Sequence, residues 1–121
     1  METPKPTCPV ETALKVLGGR WKVLILRELF PGIKRFGQLQ KSLTGITQKM
    51  LTQQLRALEQ DGIVFRHVYL QVPPKVEYSL TPLGESLKPV LESIHQWGEK
   101  YEQAEEFLRR RLAEENETKQ A

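Results

Sequence analysis

A chain of 121 residues, 39% hydrophobic and 27% charged, is long enough for one domain with a real core. No apolar run approaches the roughly 18 residues of a membrane span, and the single cysteine, Cys8, excludes an intrachain disulfide and a cysteine-based zinc finger. The formal charge of +3 is uneven: residues 1–81 hold 12 Lys/Arg against 6 Asp/Glu, whereas 82–121 hold 6 against 9, so the first two-thirds is a candidate polyanion-binding body.

Residues 1–7 carry two prolines and few apolar groups and are expected to form a flexible N-terminal arm. The start has no apolar run after its charges, so no signal peptide is expected and a cytoplasmic location follows. Pro9 suits the first turn of a helix, where its missing N–H is harmless, and Gly18-Gly19 would end that helix. A second helix is expected over Arg20 to Phe30. Trp21, Leu24, Ile25 and Leu29 share a face, Val23, Leu26 and Phe30 widen it, and Pro31-Gly32 stops it.

Phe36, Leu39 and Leu43 predict a short helix, followed by a tight turn at Thr44-Gly45-Ile46. Thr47 can cap the next helix, which runs towards Gly62 with an apolar stripe of Leu51, Leu55 and Leu58 and Met50 at its edge. A second stripe, Lys49, Gln53, Arg56 and Gln60, is cationic and amide-rich and contains no carboxylate. Arg and Lys suit guanine edges and Gln suits adenine, so this stripe can read bases. On a lone helix it would pass for a solvated face; after a short helix and a three-residue turn it completes a helix-turn-helix pattern.

Beyond Gly62 the hydropathy period changes from 3.6 to 2. Ile63 to Val72, rich in β-branched and aromatic residues, predicts one strand, and Val76, Tyr78 and Leu80 predict a second. The hairpin, turning at Gln71 to Lys75 directly after the helix-turn-helix, predicts a winged helix. Thr81-Pro82 then opens a long last helix. Leu83, Leu87, Val90, Ile94, Trp97, Tyr101, Ala104 and Leu108 step by 4 and 3, with Leu112 a turn further, and Leu91 and Phe107 widen this heptad seam. The small core can cover only its start, so the remainder should meet a second subunit. Pro89 should kink the helix, and the polar stretch 113–121 should fray.

His67 and His95 have no Cys or acid at metal-ligand spacing, and no nucleophile motif, phosphate-cradling glycine loop or positioned acid pair is present. No enzyme, cofactor or metal is therefore expected. Lys34-Arg35, Lys22 and Lys41 surround the helix-turn-helix. They read as phosphate clamps in preference to plain solubilising charge, because the basic excess gathers around a motif that needs it. For Lys75 and Arg66, a reach to the neighbouring groove and ordinary surface charge are about equally supported. Cys8, at the start of the first helix, sits where the helix dipole favours oxidation or alkylation; the competing reading is an inert small side chain.

CPVETALKVLGGRWKVLILRELFPGIKRFGQLQ, GITQKMLTQQLRALEQDGIV and PPKVEYSLTPLGESLKPVLESIHQWGEKY resemble the HxlR-type winged-helix transcriptional regulators, relatives of the MarR type, over about residues 8 to 101. The resemblance implies a homodimer held by its first and last helices, acting on double-stranded DNA with pseudo-palindromic operators. It also implies a recognition helix at Thr47 to Gln60 and a wing at Gln71 to Lys75. Some members of the family carry a sensing cysteine in the Cys-Pro position of Cys8. With no second cysteine in this chain, only Cys8 to Cys8′ pairing, a mixed disulfide or alkylation is open.

The expected protein is thus mainly α with a small β-hairpin, a winged helix over 8–112 including the dimerisation helix. Its DNA-binding residues are Thr47, Gln48, Lys49, Thr52, Gln53, Arg56, Lys34, Arg35 and Lys75. Thr47 and Thr52 would take phosphates. Its dimer interface is Leu83, Leu87, Val90, Ile94, Trp97, Tyr101 and Leu108. The competing function is a winged helix used for protein–protein contact without DNA. A small-molecule receptor is a weaker third, since no ligand anchor is visible.

Overall fold

The computed structural model describes residues 8–120, so the expected arm at 1–7 lies outside the described residues. The elements run α1 (Pro9–Leu17), α2 (Trp21–Leu29), β1 (Lys34–Arg35), α3 (Phe36–Ser42), α4 (Gln48–Gln60), β2 (Val64–Tyr69), β3 (Lys75–Leu80), α5 (Pro82–Glu85) and α6 (Lys88–Gln120). They divide into two units, which meet between Leu87 and Lys88 in the chain.

The first unit is built around α2. Its Ile25, Leu26 and Leu29 are buried, together with Leu39 of α3, Leu43 and Ile46 of the following turn, and Leu51, Leu55 and Leu58 of α4. Ile63, Val64 and Tyr78 close the core from the sheet side. All of these are apolar side chains on the helical or alternating stripes that the sequence shows, so removal from water at roughly 25 cal/mol per Å2 drives the assembly. α1 buries no residue, and its Val10 and Leu14 stay exposed.

The sheet is three-stranded and antiparallel, in the order β1-β3-β2, where the sequence suggested a two-stranded hairpin. β1 is only Lys34–Arg35, which pairs Lys34 with Tyr78 and Arg35 with Glu77. Two residues are too few to show an alternation, so the strand reads in sequence as a cationic dipeptide. The wing loop is also shifted: β2 ends at Tyr69 and β3 begins at Lys75, so the tip is Leu70 to Pro74 and Lys75 belongs to the strand.

Gly62 ends the α4 connection at φ +74°, a left-handed conformation that only glycine adopts without cost. The Thr81 hydroxyl then ties the two ends of the wing together. It donates to the Gly62 carbonyl at 2.5 Å and accepts from Gly84 N–H at 3.1 Å as the cap of α5. Gly84 is packed against this junction: a Cβ placed there would stand 2.3 Å from the Ile63 carbonyl oxygen.

The expected single long helix is two. α5 stops at Glu85, Ser86 and Leu87 form a turn closed by Leu87 N–H to the Gly84 carbonyl (3.1 Å), and α6 begins at Lys88. Pro89 therefore occupies a first turn rather than a kinked interior, because it has no N–H to donate backwards. At the other end, α6 continues to Gln120 where fraying was expected from Ala113. The stretch is rich in Ala, Glu, Lys and Gln, which are good helix formers, and the Thr118 hydroxyl donates to the Glu114 carbonyl at 2.9 Å. Within the second unit, Trp97 and Tyr101 stack at 5.5 Å. Val90, Ile94, Trp97, Tyr101, Phe107, Leu108 and Leu112 are all exposed.

Candidate nucleic-acid interface

The turn between α3 and α4 is held at both ends. Gln38 Oε1 accepts from the Arg35 N–H at 2.8 Å and caps α3. Leu43 N–H donates to Leu39, and Ile46 N–H to Leu43, while Gly45 takes φ +92°. Buried Leu43 and Ile46 then anchor the turn in the core. Thr47 Oγ1 accepts from Met50 N–H at 3.1 Å, so α4 starts where the sequence placed it. With Leu51, Leu55 and Leu58 buried beneath, the helix cannot roll, and its polar side is presented in one orientation.

That polar side borders two concavities. A shallow one, about 600 Å3, is lined by Thr47, Gln48, Lys49, Thr52, Gln53 and Arg56. These are six of the nine residues expected to contact DNA. The second, about 410 Å3, lies between α4 and the sheet and adds Glu59, Arg66, Val76 and Tyr78, over Phe36 and Leu55. Gln48, Thr52 and Arg56 line both and so form the ridge between them. Among the described residues, Lys49 and Arg56 form no ion pair. Their charge is therefore available to an external anion.

The hydroxyls of the two threonines differ. Thr52 Oγ1 donates to the Gln48 carbonyl at 2.8 Å, which commits its proton, whereas Thr47 Oγ1 only accepts and keeps its proton free.

Strand register separates the remaining candidates. Lys34, Tyr78 and Arg66 are cross-strand neighbours and share the sheet face that borders the α4 cleft. Arg35, Glu77, His67, Tyr69 and Lys75 share the opposite face. The adjacent cations Lys34 and Arg35 are thus split by the pleat. Lys75 is engaged as well: its Nζ lies 2.8 Å from Glu77 Oε1 and 4.9 Å from the Tyr69 ring centroid. The Lys75 hydrogen bond, aided by the Lys75 and Arg35 charges and the Tyr69 hydroxyl, holds the Glu77 carboxyl below its ordinary value against an opposing desolvation.

Two charged residues of the cleft, Glu59 and Arg66, lie outside the expected DNA-binding set. Glu59 lies eleven positions after Gln48, three turns along the same helix face, so helical spacing could have found it. His67 sits between the rings of Phe65 (5.6 Å) and Tyr69 (5.0 Å), and His95 Nε2 lies 2.7 Å from Glu99 on α6. Cys8 is the exposed N-cap residue of α1, and its carbonyl accepts from Glu11 and Thr12 N–H.

A helix-turn-helix with a three-stranded wing and a long last helix defines the class, a winged-helix regulator. The chain belongs to the HxlR-like helix-turn-helix family, whose model matches residues 16–106. It is 56% identical over 94 residues to the HTH-type transcriptional regulator YdeP of Bacillus subtilis (strain 168), covering 78% of this chain and 73% of that protein. Among solved structures it resembles the redox regulator HypR in its oxidized form, at 53% identity and TM-score 0.72, over 77% of this chain and 96% of that one. The reduced form of the transcriptional regulator YodB from B. subtilis matches at 39% identity and TM-score 0.71, over 79% of this chain and 95% of that one. The protein is accordingly a transcriptional regulator of the helix-turn-helix type, and its relatives indicate no enzymatic family. No helix among the described residues is long and apolar enough to cross a membrane.

Proposed function

We propose that the chain is a homodimeric, sequence-specific DNA-binding transcriptional regulator of the cytoplasm. The observation that carries this reading is the α4 ridge: a capped helix, immobilised by three buried leucines, that presents Gln48, Lys49, Gln53 and Arg56 unobstructed. α4 enters a major groove, and the two copies address half-sites on the order of 34 Å apart. Thr47, with its free hydroxyl proton, takes a phosphate. Thr52 contributes its methyl group and an acceptor, since a phosphate oxygen needs a donor. Lys34 and Arg66 clamp the backbone from the cleft side. Arg35 flanks the far side of the wing and adds long-range attraction, while Lys75, paired there with Glu77, adds little net charge. The dimer uses the exposed Leu83, Val90, Ile94, Trp97, Tyr101 and Leu108, the half-buried Leu87 and the first helix.

Titration against duplexes selected from a random pool, at two salt concentrations, tests this. Counterion release predicts a strongly negative salt slope on every duplex, and Arg56→Ala should weaken the selected sequence by about 1–3 kcal/mol more than a random one. A flat salt slope would support the protein–protein alternative.

A redox response is favoured by a separate observation: Cys8 is exposed at the head of α1, and structural relatives include a protein described as a redox regulator. In the dimer, two Cys8 thiols would lose two electrons and two protons to an oxidant and join. A low-molecular-weight thiol could join Cys8 instead, and an electrophile could alkylate it. Oxidant should alter DNA binding by the wild type and leave Cys8→Ser unaffected; an equal response of the two removes the proposal.

A further inference from the structure

The wing tip has an unusual composition for a surface that approaches a polyanion. Leu70 and Val72 are each 100% exposed, and the whole tip, Leu70 to Pro74, carries no charge. The nearest cation, Lys75, is held between Glu77 at 2.8 Å and the Tyr69 ring. Gln71, between the two aliphatic residues, is anchored by its main chain, whose N–H donates to the Tyr69 carbonyl at 3.0 Å; its side chain is exposed. The tip extends strands whose other face, at Arg66, Val76 and Tyr78, borders the α4 cleft. It is therefore continuous with the surface assigned to DNA.

A neutral tip with two bare aliphatic groups does not suit a phosphate track, where cations supply the affinity. It suits the floor and walls of a minor groove. There A·T pairs present only acceptors, and a G·C pair adds the guanine 2-amino group. Building on the DNA-binding reading above, we infer that Leu70, Gln71 and Val72 form a neutral minor-groove reader that rejects guanine. Leu70 and Val72 pack on the sugar walls, and the Gln71 amide donates to adenine N3 or thymine O2. A guanine amine would stand in the middle of the groove floor and hold the Leu70 and Val72 methyl groups off it, and the Gln71 amide would meet it only by turning its oxygen inward and giving up its own donation. The base pairs flanking each α4 site are thus selected as A·T by shape and by the missing amine.

Base analogues test this on the wild-type protein. In a selected duplex, the flanking A·T pairs are changed to G·C, to inosine·C or to 2,6-diaminopurine·T. Inosine·C shows a G·C-like major groove without the minor-groove amine; diaminopurine·T does the reverse. Replacement by G·C should weaken binding about tenfold, inosine·C should restore it, and diaminopurine·T should weaken it as G·C does. If inosine·C binds as poorly as G·C, or if no flank preference exists, the inference is overturned while sequence-specific binding stands. If no duplex is selected at all, the DNA-binding reading falls and takes this one with it. In a second arm, the Leu70→Ser, Val72→Ser double variant should lose the flank preference with its salt slope and dimer unchanged. A changed slope, a retained preference or dissociation to monomers, which would mark the tip as a subunit contact, each overturns it.

Discussion

Helices α4 and α6 carry the same kind of apolar pattern and meet opposite fates. On α4 the stripe Leu51, Leu55 and Leu58 is at most 2% exposed. On α6 Val90, Ile94, Trp97, Tyr101, Leu108 and Leu112 are 44–63% exposed in the single chain. The charges differ as well. Among the described residues α4 leaves Lys49 and Arg56 without an ion pair, whereas α6 pairs Arg110 with Glu106 and Arg109 with Glu105 along its own surface. One helix has satisfied its apolar side and kept its polar side for a partner. The other has paired part of its polar side along its own length and kept its apolar side. The first arrangement suits a polyanion and the second suits another protein surface of the same kind.

The largest test of this contrast is on α6. Each of its seam residues is about half exposed and stands to gain roughly 1 kcal/mol when the remainder is buried. A double variant Ile94→Glu, Trp97→Glu should therefore weaken self-association by several kcal/mol, visible as monomers in sedimentation, while helix content stays unchanged. An unfolded variant would instead mean that the seam belongs to the chain's own core. On α4, Leu51→Ala should lower unfolding free energy by about 2–5 kcal/mol in denaturant titration, because it opens a cavity in a closed core. An effect below about 0.5 kcal/mol there would show α4 to be as bare as α6.

Gly84→Ala probes the junction that fixes the wing to the end of α4. Its Cβ would collide with main chain at Ile63, which cannot move aside as a flexible side chain can, so a loss of about 1–3 kcal/mol is expected. The smallest effect concerns Lys75 and Glu77. The folded carboxyl is more acidic than the unfolded one, so the stability from this pair is complete above the unfolded pKa, about 4.3. It declines as pH falls through the lower folded value. Lys75→Met should move the Glu77 titration upward in an NMR experiment and flatten the acid side of the stability profile over that interval.

Much of this architecture was legible in local chemistry. The caps at Thr47 and Thr81, the stop at Gly62 and the buried leucines of α4 follow from spacing and hydroxyl placement within a few residues. Six of the nine expected DNA-binding residues come together on one concave surface because they share a helix, and helical periodicity is visible in a linear string. The sheet was less legible. That Lys34 and Arg35 take opposite faces, and that Lys75 is occupied by Glu77 and Tyr69, depends on the pairing of β1 and β2 with β3.

The sequence by itself determined the helix-turn-helix, the wing and the apolar seam, since each is written in the period of neighbouring side chains. Tertiary structure alone decided that Lys34 and Arg35 fall on opposite faces of the sheet, that Glu59 and Arg66 share one cleft, and that Gly84 is pressed against the Ile63 carbonyl. Those outcomes depend on which distant segments come into contact, and no local spacing encodes that. Pro89 shows the boundary between the two: its missing N–H was plain from the sequence, but whether it would kink one helix or begin another was settled by the Thr81 cap and the turn at Ser86 and Leu87 before it.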